Sequence, residues 1–182
     1  FQPEIRRFLL LIGKSTSFQD NKLVRRFFPK HTTFENDSTI HELVESARLM
    51  AASHTGALLV IQREDDLKKY IDSGDELDAV VSKRLIGNIF FKNSPLHDGA
   101  VIIHEGRIKA ARCMLPVTEN QNIPAALGFR HRAAIGMSEA TDAVILVVSE
   151  EKGEISVVHM GGMFRRLSVN DLEDKLKQLL TT

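Results

Sequence analysis

Ala57-Leu58-Leu59-Val60-Ile61 is an unbroken run of five apolar residues, closed by Gly56 before it and by Gln62-Arg63-Glu64-Asp65-Asp66 after it. A strand with one wet face alternates apolar and polar residues, and an amphipathic helix spaces its apolar residues three and four apart. Neither tolerates this run, which predicts a short strand buried on both faces. Residues 143–149 repeat the pattern, and their apolar stretch is far too short to cross a bilayer. Around these strands the sequence predicts helices. Thr39 with Glu42 makes a capping box for a helix carrying Ile40, Leu43, Val44, Ala47 and Met50 on one face. Further helical patterns cover residues 65–72, the segment bearing Leu85, Ile86, Ile89 and Phe90, Phe129–Ala140, and residues 170–180 with Leu172, Leu176 and Leu179.

Two hairpins are also legible. Ala100–His104 and residues 107–115 flank Glu105-Gly106, and residues 143–149 and 154–160 flank Lys152-Gly153. Residues 117–128 read as a loop. With 182 residues, and about 150 residues per domain as a guide, the chain amounts to one domain with an extension. We place residues 1–34 as an amino-terminal helical arm, whose first helix carries Ile5, Phe8, Leu9 and Ile12, and residues 35–182 as the folded domain. Helices mixed with hairpins predict an α/β domain with a mixed, largely antiparallel sheet.

Composition narrows the function classes. The 24 Lys and Arg equal the 24 Asp and Glu, and the chain has one Tyr and no Trp. A neutral chain poor in stacking aromatics is a weak candidate for nucleic-acid binding. Zero net charge conceals a gradient: residues 1–34 balance at +5, residues 35–80 at −7, and the remainder at +2. The single cysteine, Cys113, excludes an internal disulfide and reads as core, which fits a reducing compartment. No histidine pair has zinc-motif spacing, and no Walker loop or dinucleotide fingerprint is present.

Three polar clusters interrupt the apolar segments. In Leu96-His97-Asp98-Gly99-Ala100, the aspartate is either a cation ligand or the cap of a turn that starts the next strand. Gly128-Phe129-Arg130-His131-Arg132 sets two arginines at a helix start, where they serve a phosphate or form a solvated face. Two residues apart, Arg130 and Arg132 point to nearly opposite sides of a regular helix. Ser149-Glu150-Glu151, after a buried strand, offers either a metal ligand or an exposed hairpin rim. Gly161-Gly162 reads as a turn and Arg165-Arg166 as surface charge.

In this order, Asp98-Gly99-Ala100 and Arg130-His131-Arg132 resemble the two signature motifs of the diadenylate cyclase family, whose members make the bacterial second messenger cyclic di-AMP from two ATP molecules. The resemblance runs over residues 39–162, with supporting stretches at residues 56–61, 94–97, 132–136, 138–139 and 147–151. It implies a single α/β domain with a central mixed sheet flanked by helices. It implies catalytic roles for Asp98, Gly99 and Ala100, and ATP contacts from Met114, Leu115, Arg130, His131, Arg132 and Ser149. A divalent metal (Mn2+ or Mg2+, with Co2+ a further candidate) would be held by His97, Asp98 and Glu151. The implied partners are ATP and a second copy of the chain in a face-to-face dimer, with a regulatory protein as a further candidate. Phe1-Gln2-Pro3-Glu4-Ile5-Arg6-Arg7 resembles the membrane-anchored branch, in which an anchor absent from this chain places the domain on the cytoplasmic face of the bacterial membrane. The +5 of residues 1–34 suits that position. One residue departs from the pattern: Phe129 stands where relatives commonly carry a small hydroxylated residue, removing a hydroxyl contact to ATP. An ATP- or cyclic di-AMP-sensing module without turnover is the alternative.

Overall fold

The computed structural model describes residues 37–124 and 126–181, so the expected helix near the amino terminus and the boundary at residue 34 lie outside the described residues. The described elements are, in order, α1 (Asp37–Ala52), β1 (Ala57–Ile61), α2 (Lys68–Ile71), β2 (Asp75–Val80), α3 (Lys83–Ile89), β3 (Ala100–His104), β4 (Arg107–Cys113), α4 (Phe129–Ala140), β5 (Val144–Val148), β6 (Ile155–His159), β7 (Gly162–Phe164) and α5 (Val169–Leu180). The strands form one sheet in the order β2-β4-β3-β1-β5-β6-β7. Only β1 and β3 pair in parallel, and the other five pairings are antiparallel.

Helices cover both faces of the sheet, which is why β1 can be apolar at every position. Ala57, Leu59 and Ile61 pack with Leu43, Ala47, Ile86, Leu172 and Leu176 from α1, α3 and α5. Leu58 and Val60 point the other way, against Ala133, Ala134 and Met137 of α4. All five β1 residues and all five β5 residues are buried. With Leu or Ile worth about 1.5–3 kcal/mol each on full burial, this double core is the main source of stability.

Some local expectations need correcting. Asp37 is already helical in α1, so Thr39 lies inside the helix rather than capping it. Glu42 turns outward to accept a 2.6 Å hydrogen bond from the Lys83 N–H in the first turn of α3, where an acidic group also meets the positive end of the helix dipole. The helix expected over residues 65–72 shrinks to the single turn of α2. Strands β2 and β7 were not foreseen, because Asp75-Glu76-Leu77-Asp78 and Gly162-Met163-Phe164 lack the β-branched runs that mark buried strands. Both are edge strands. β2 alternates half-buried and exposed positions, and Asp78 holds Arg107 and Lys109 of the neighbouring β4 at 2.8 and 3.2 Å.

Candidate active site

Strand direction decides where the polar clusters meet. Because β1 and β3 run parallel, their starts, at Gly56 and at Asp98-Gly99, lie on the same edge of the sheet. β4 runs back along β3, pairing Cys113 with Ala100, so Met114 and Leu115 emerge on that edge too. β5 runs back along β1, pairing Val148 with Ala57, which delivers Ser149-Glu150-Glu151 to the same place. There they surround a cavity of about 850 Å3, together with the first turn of α4.

The cavity wall includes Asp98, Gly99, Met114, Leu115, Arg130, His131, Ser149 and Glu151 among the residues predicted from sequence. Asp98 is exposed and makes no hydrogen bond or ion pair among the described residues, although its charge acts on Arg112. Gly99 has φ +132°, and a Cβ there would stand 2.8 Å from the Cα of Arg112. Backbone therefore approaches backbone at this point, as only glycine permits. Met114 projects into the open with 72% of its surface exposed, while its N–H donates to Ser73 Oγ at 3.0 Å. Leu58, Leu127 and Ala133 complete an apolar wall.

Much of the remaining lining is charged. Gly128 precedes α4 without a side-chain cap, leaving the amides of Phe129 and Arg130 without intrahelical partners. Arg130, in the second helical position, reaches across to Glu150 with Nη1 donating to Oε2 at 2.7 Å. His131 is buried, and burial, followed by the nearby Arg165 charge, lowers its pKa; Glu154 opposes that shift and Lys152 adds to it. Ser149 Oγ accepts from the Lys152 N–H at 3.3 Å and so shapes the loop after β5. Cys113 also lines the cavity, but burial and the Asp75 carboxylate push its thiol up to about 12, which rules it out as a nucleophile at neutral pH.

Three predicted residues do not reach the cavity wall. His97 is half-buried and donates from Nδ1 to the Ser94 carbonyl at 2.6 Å. Ala100 is fully buried in the core beneath the site. Arg132 is absent from the wall that Arg130 joins, as their two-residue spacing on a helix requires. Nor do His97, Asp98 and Glu151 form a metal site within one chain. Among the described residues no three His, Cys, Asp or Glu side chains are grouped to hold an ion. The reason is topological: Asp98 precedes β3 and Glu151 follows β5, and β1 lies between those strands, setting their ends roughly 10 Å apart.

Sequence reasoning missed other wall residues. Lys152 and Arg165 both line the cavity, so Arg165 is more than surface charge. β7 runs back along β6, returning Arg165 to the same sheet edge, where it pairs with Glu154 at 3.5 Å. Counting side chains, Arg112, Arg130, Lys152 and Arg165 face Asp98, Glu150, Glu151 and Glu154, four against four. The wall as a whole is neutral, so an incoming polyanion is met by local groups rather than by a net field.

Residues 44–163 match the family model described as DisA bacterial checkpoint controller nucleotide-binding (DAC). The chain is 42% identical over 183 aligned residues to the cyclic di-AMP synthase CdaA of Bacillus subtilis, covering 99% of this chain and 62% of that protein. Among solved structures, a double-cysteine mutant of DacA from Staphylococcus aureus superposes with a TM-score of 0.78 at 39% identity, over 80% of this chain and 97% of that one. A hypothetical membrane spanning protein from Bacillus cereus gives 0.70 at 37% identity, over 74% of this chain and 65% of that one. The chain thus spans a little under two thirds of the length of the Bacillus subtilis relative.

Proposed function

The chain belongs to the DAC family of nucleotide-binding domains, and from that premise we propose that it is a diadenylate cyclase, condensing two ATP into cyclic di-AMP and two pyrophosphates. The observation that carries the reading is the convergence of Asp98-Gly99, the apolar wall at Met114-Leu115 and the open amino-terminus of α4 with Arg130 around one cavity. An apolar wall suits an adenine ring, and a helix start with an arginine suits a triphosphate.

In each half-reaction the ribose 3′-oxygen of one ATP bonds to the α-phosphorus of the other, and the bond to pyrophosphate breaks. Arg130 and the amides of Phe129 and Arg130 hold phosphate oxygens, leaving little for the protein to do beyond position and charge. His131, kept neutral by burial, offers a hydrogen bond without adding charge. Asp98, without a hydrogen-bond or ion-pair partner among the described residues, aims the attacking hydroxyl at the α-phosphorus and takes its proton as the oxygen bonds to phosphorus. Gly99 permits the close approach. Ser149 fixes the loop that carries Glu150 and Glu151. Enzymes of this class work with divalent metals, but among the described residues of one chain no ligand set is grouped for such an ion.

A single cavity presents one ATP, so the reaction requires two cavities facing each other in a homodimer. Phe129, 74% exposed and part of the cavity lining, is available for that contact. The similarity to a membrane spanning protein supports a parent protein held at the cytoplasmic face of the membrane. Among the described residues no helix is long and apolar enough to cross one.

The test is to incubate the protein with ATP and Mn2+ or Mg2+ and identify products by mass. Cyclic di-AMP, formed with a specific activity that falls on dilution, is the expected result. ADP or AMP would make the protein a hydrolase, and saturable ATP binding without product would make it a sensor.

A further inference from the structure

Gly56 lies outside both signature motifs, buried in the loop that leads into β1. A Cβ built on it would stand 2.6 Å from Arg130 Nη1, 2.8 Å from Glu150 Oε2 and 3.0 Å from Arg130 Cζ. These are the atoms of the Arg130–Glu150 ion pair, closed at 2.7 Å. Gly56 is not among the positive-φ residues, so its backbone conformation is open to alanine. The three nearest atoms all belong to the ends of flexible side chains, and none is backbone. A methyl group here therefore displaces the ion pair and leaves the fold in place.

We infer that Gly56 is a positioning residue for Arg130: its missing side chain is the slot in which the guanidinium lies against Glu150 and faces the cavity. The inference rests on the proposed role of Arg130 in holding phosphate. To reach ordinary contact at 3.4 Å from a starting 2.6 Å, Nη1 must retreat by at least 0.8 Å. A planar, bidentate donor loses its match to a phosphate over about that distance. The residue works through geometry and touches no substrate itself.

The test is a double-mutant cycle of Gly56→Ala and Arg130→Ala, read as the dissociation constant for 3′-deoxy-ATP with Mg2+. That nucleotide lacks the attacking hydroxyl, so binding is measured apart from turnover. We expect G56A to weaken binding about tenfold, the loss of one charge-assisted hydrogen bond, with a Tm within about 2 °C of the parent. In the R130A background, G56A should change binding by less than about twofold. A tenfold loss that persists in that background overturns the inference. So does unchanged binding by G56A, or a large fall in Tm, which would mean that the methyl group meets more than movable side chains. If R130A itself binds as the parent does, the phosphate role of Arg130 fails. If R130A is weak and G56A is not, only the role of Gly56 fails.

Discussion

Replacing Gly99 by alanine separates two reasons for a glycine beside the candidate catalytic aspartate. If the glycine only clears space for a nucleotide, the variant should be stable and inactive. The structure says otherwise. At φ +132° a side chain is strained by roughly 1–3 kcal/mol. The added Cβ also meets the Arg112 backbone, with Cα and the carbonyl carbon at 2.8 Å and the carbonyl oxygen at 3.1 Å. Neither strand can retreat freely, since β3 and β4 are paired from Ala100–Cys113 onward, so overpacking adds about 1–3 kcal/mol more. A total near 4 kcal/mol, at about 2–4 °C per kcal/mol for a domain of this size, lowers Tm by roughly 8–16 °C. Thermal unfolding followed by circular dichroism at neutral pH, without nucleotide, measures it. A Tm within about 2 °C of the parent would refute the argument and leave ligand approach as the sole reason for the glycine.

Asp98→Asn, at an exposed residue without a hydrogen-bond or ion-pair partner among the described residues, should keep the parent Tm while cyclic di-AMP synthesis falls by at least about a hundredfold in a mass-detected assay. Arg130→Ala should weaken ATP binding more than Arg132→Ala, because only Arg130 lines the cavity; equal losses in a titration would contradict that asymmetry. His131 has its pKa lowered by burial and by Arg165, so the unfolded chain binds this proton more readily than the folded one. Its contribution is fully present above the ordinary histidine value of 6.5 and is lost as pH falls below it. Urea midpoints for the parent should therefore drop more steeply below that pH than those of His131→Gln. Cys113, raised to about 12 by burial, should resist a thiol reagent at mildly alkaline pH until denaturant is added, and rapid labelling of the native protein would show the thiol to be accessible.

Much of this molecule was legible before folding was considered. The fully apolar runs at residues 57–61 and 144–148 demand cover on two faces; the helical stripes at Leu43, Ile86 and Leu172 supply it on one, and Ala133, Ala134 and Met137 of α4 on the other. Glu105-Gly106 marked a hairpin, and the bounds read for α4 match the observed helix. These features are local: periodicity, turn chemistry and breakers act within a few residues of themselves. The edge strands β2 and β7 escaped because an edge needs little apolar surface, so its sequence carries little signal.

The candidate site divides in the same way. The family resemblance pointed to Asp98, Arg130 and Ser149, and helical spacing set Arg130 and Arg132 on opposite sides, but the sequence did not say which of the remaining neighbours face the cavity. That depended on strand direction. One parallel pairing, β1 with β3, amid antiparallel ones places the starts of two strands and the ends of two others on one edge of the sheet. The same arrangement keeps His97, Asp98 and Glu151 from closing on a metal, draws in Arg165 from the far end of β7, and turns Gly56 into the floor beneath Arg130. Such contacts join residues tens of positions apart, and only the closed sheet sets the distance between them.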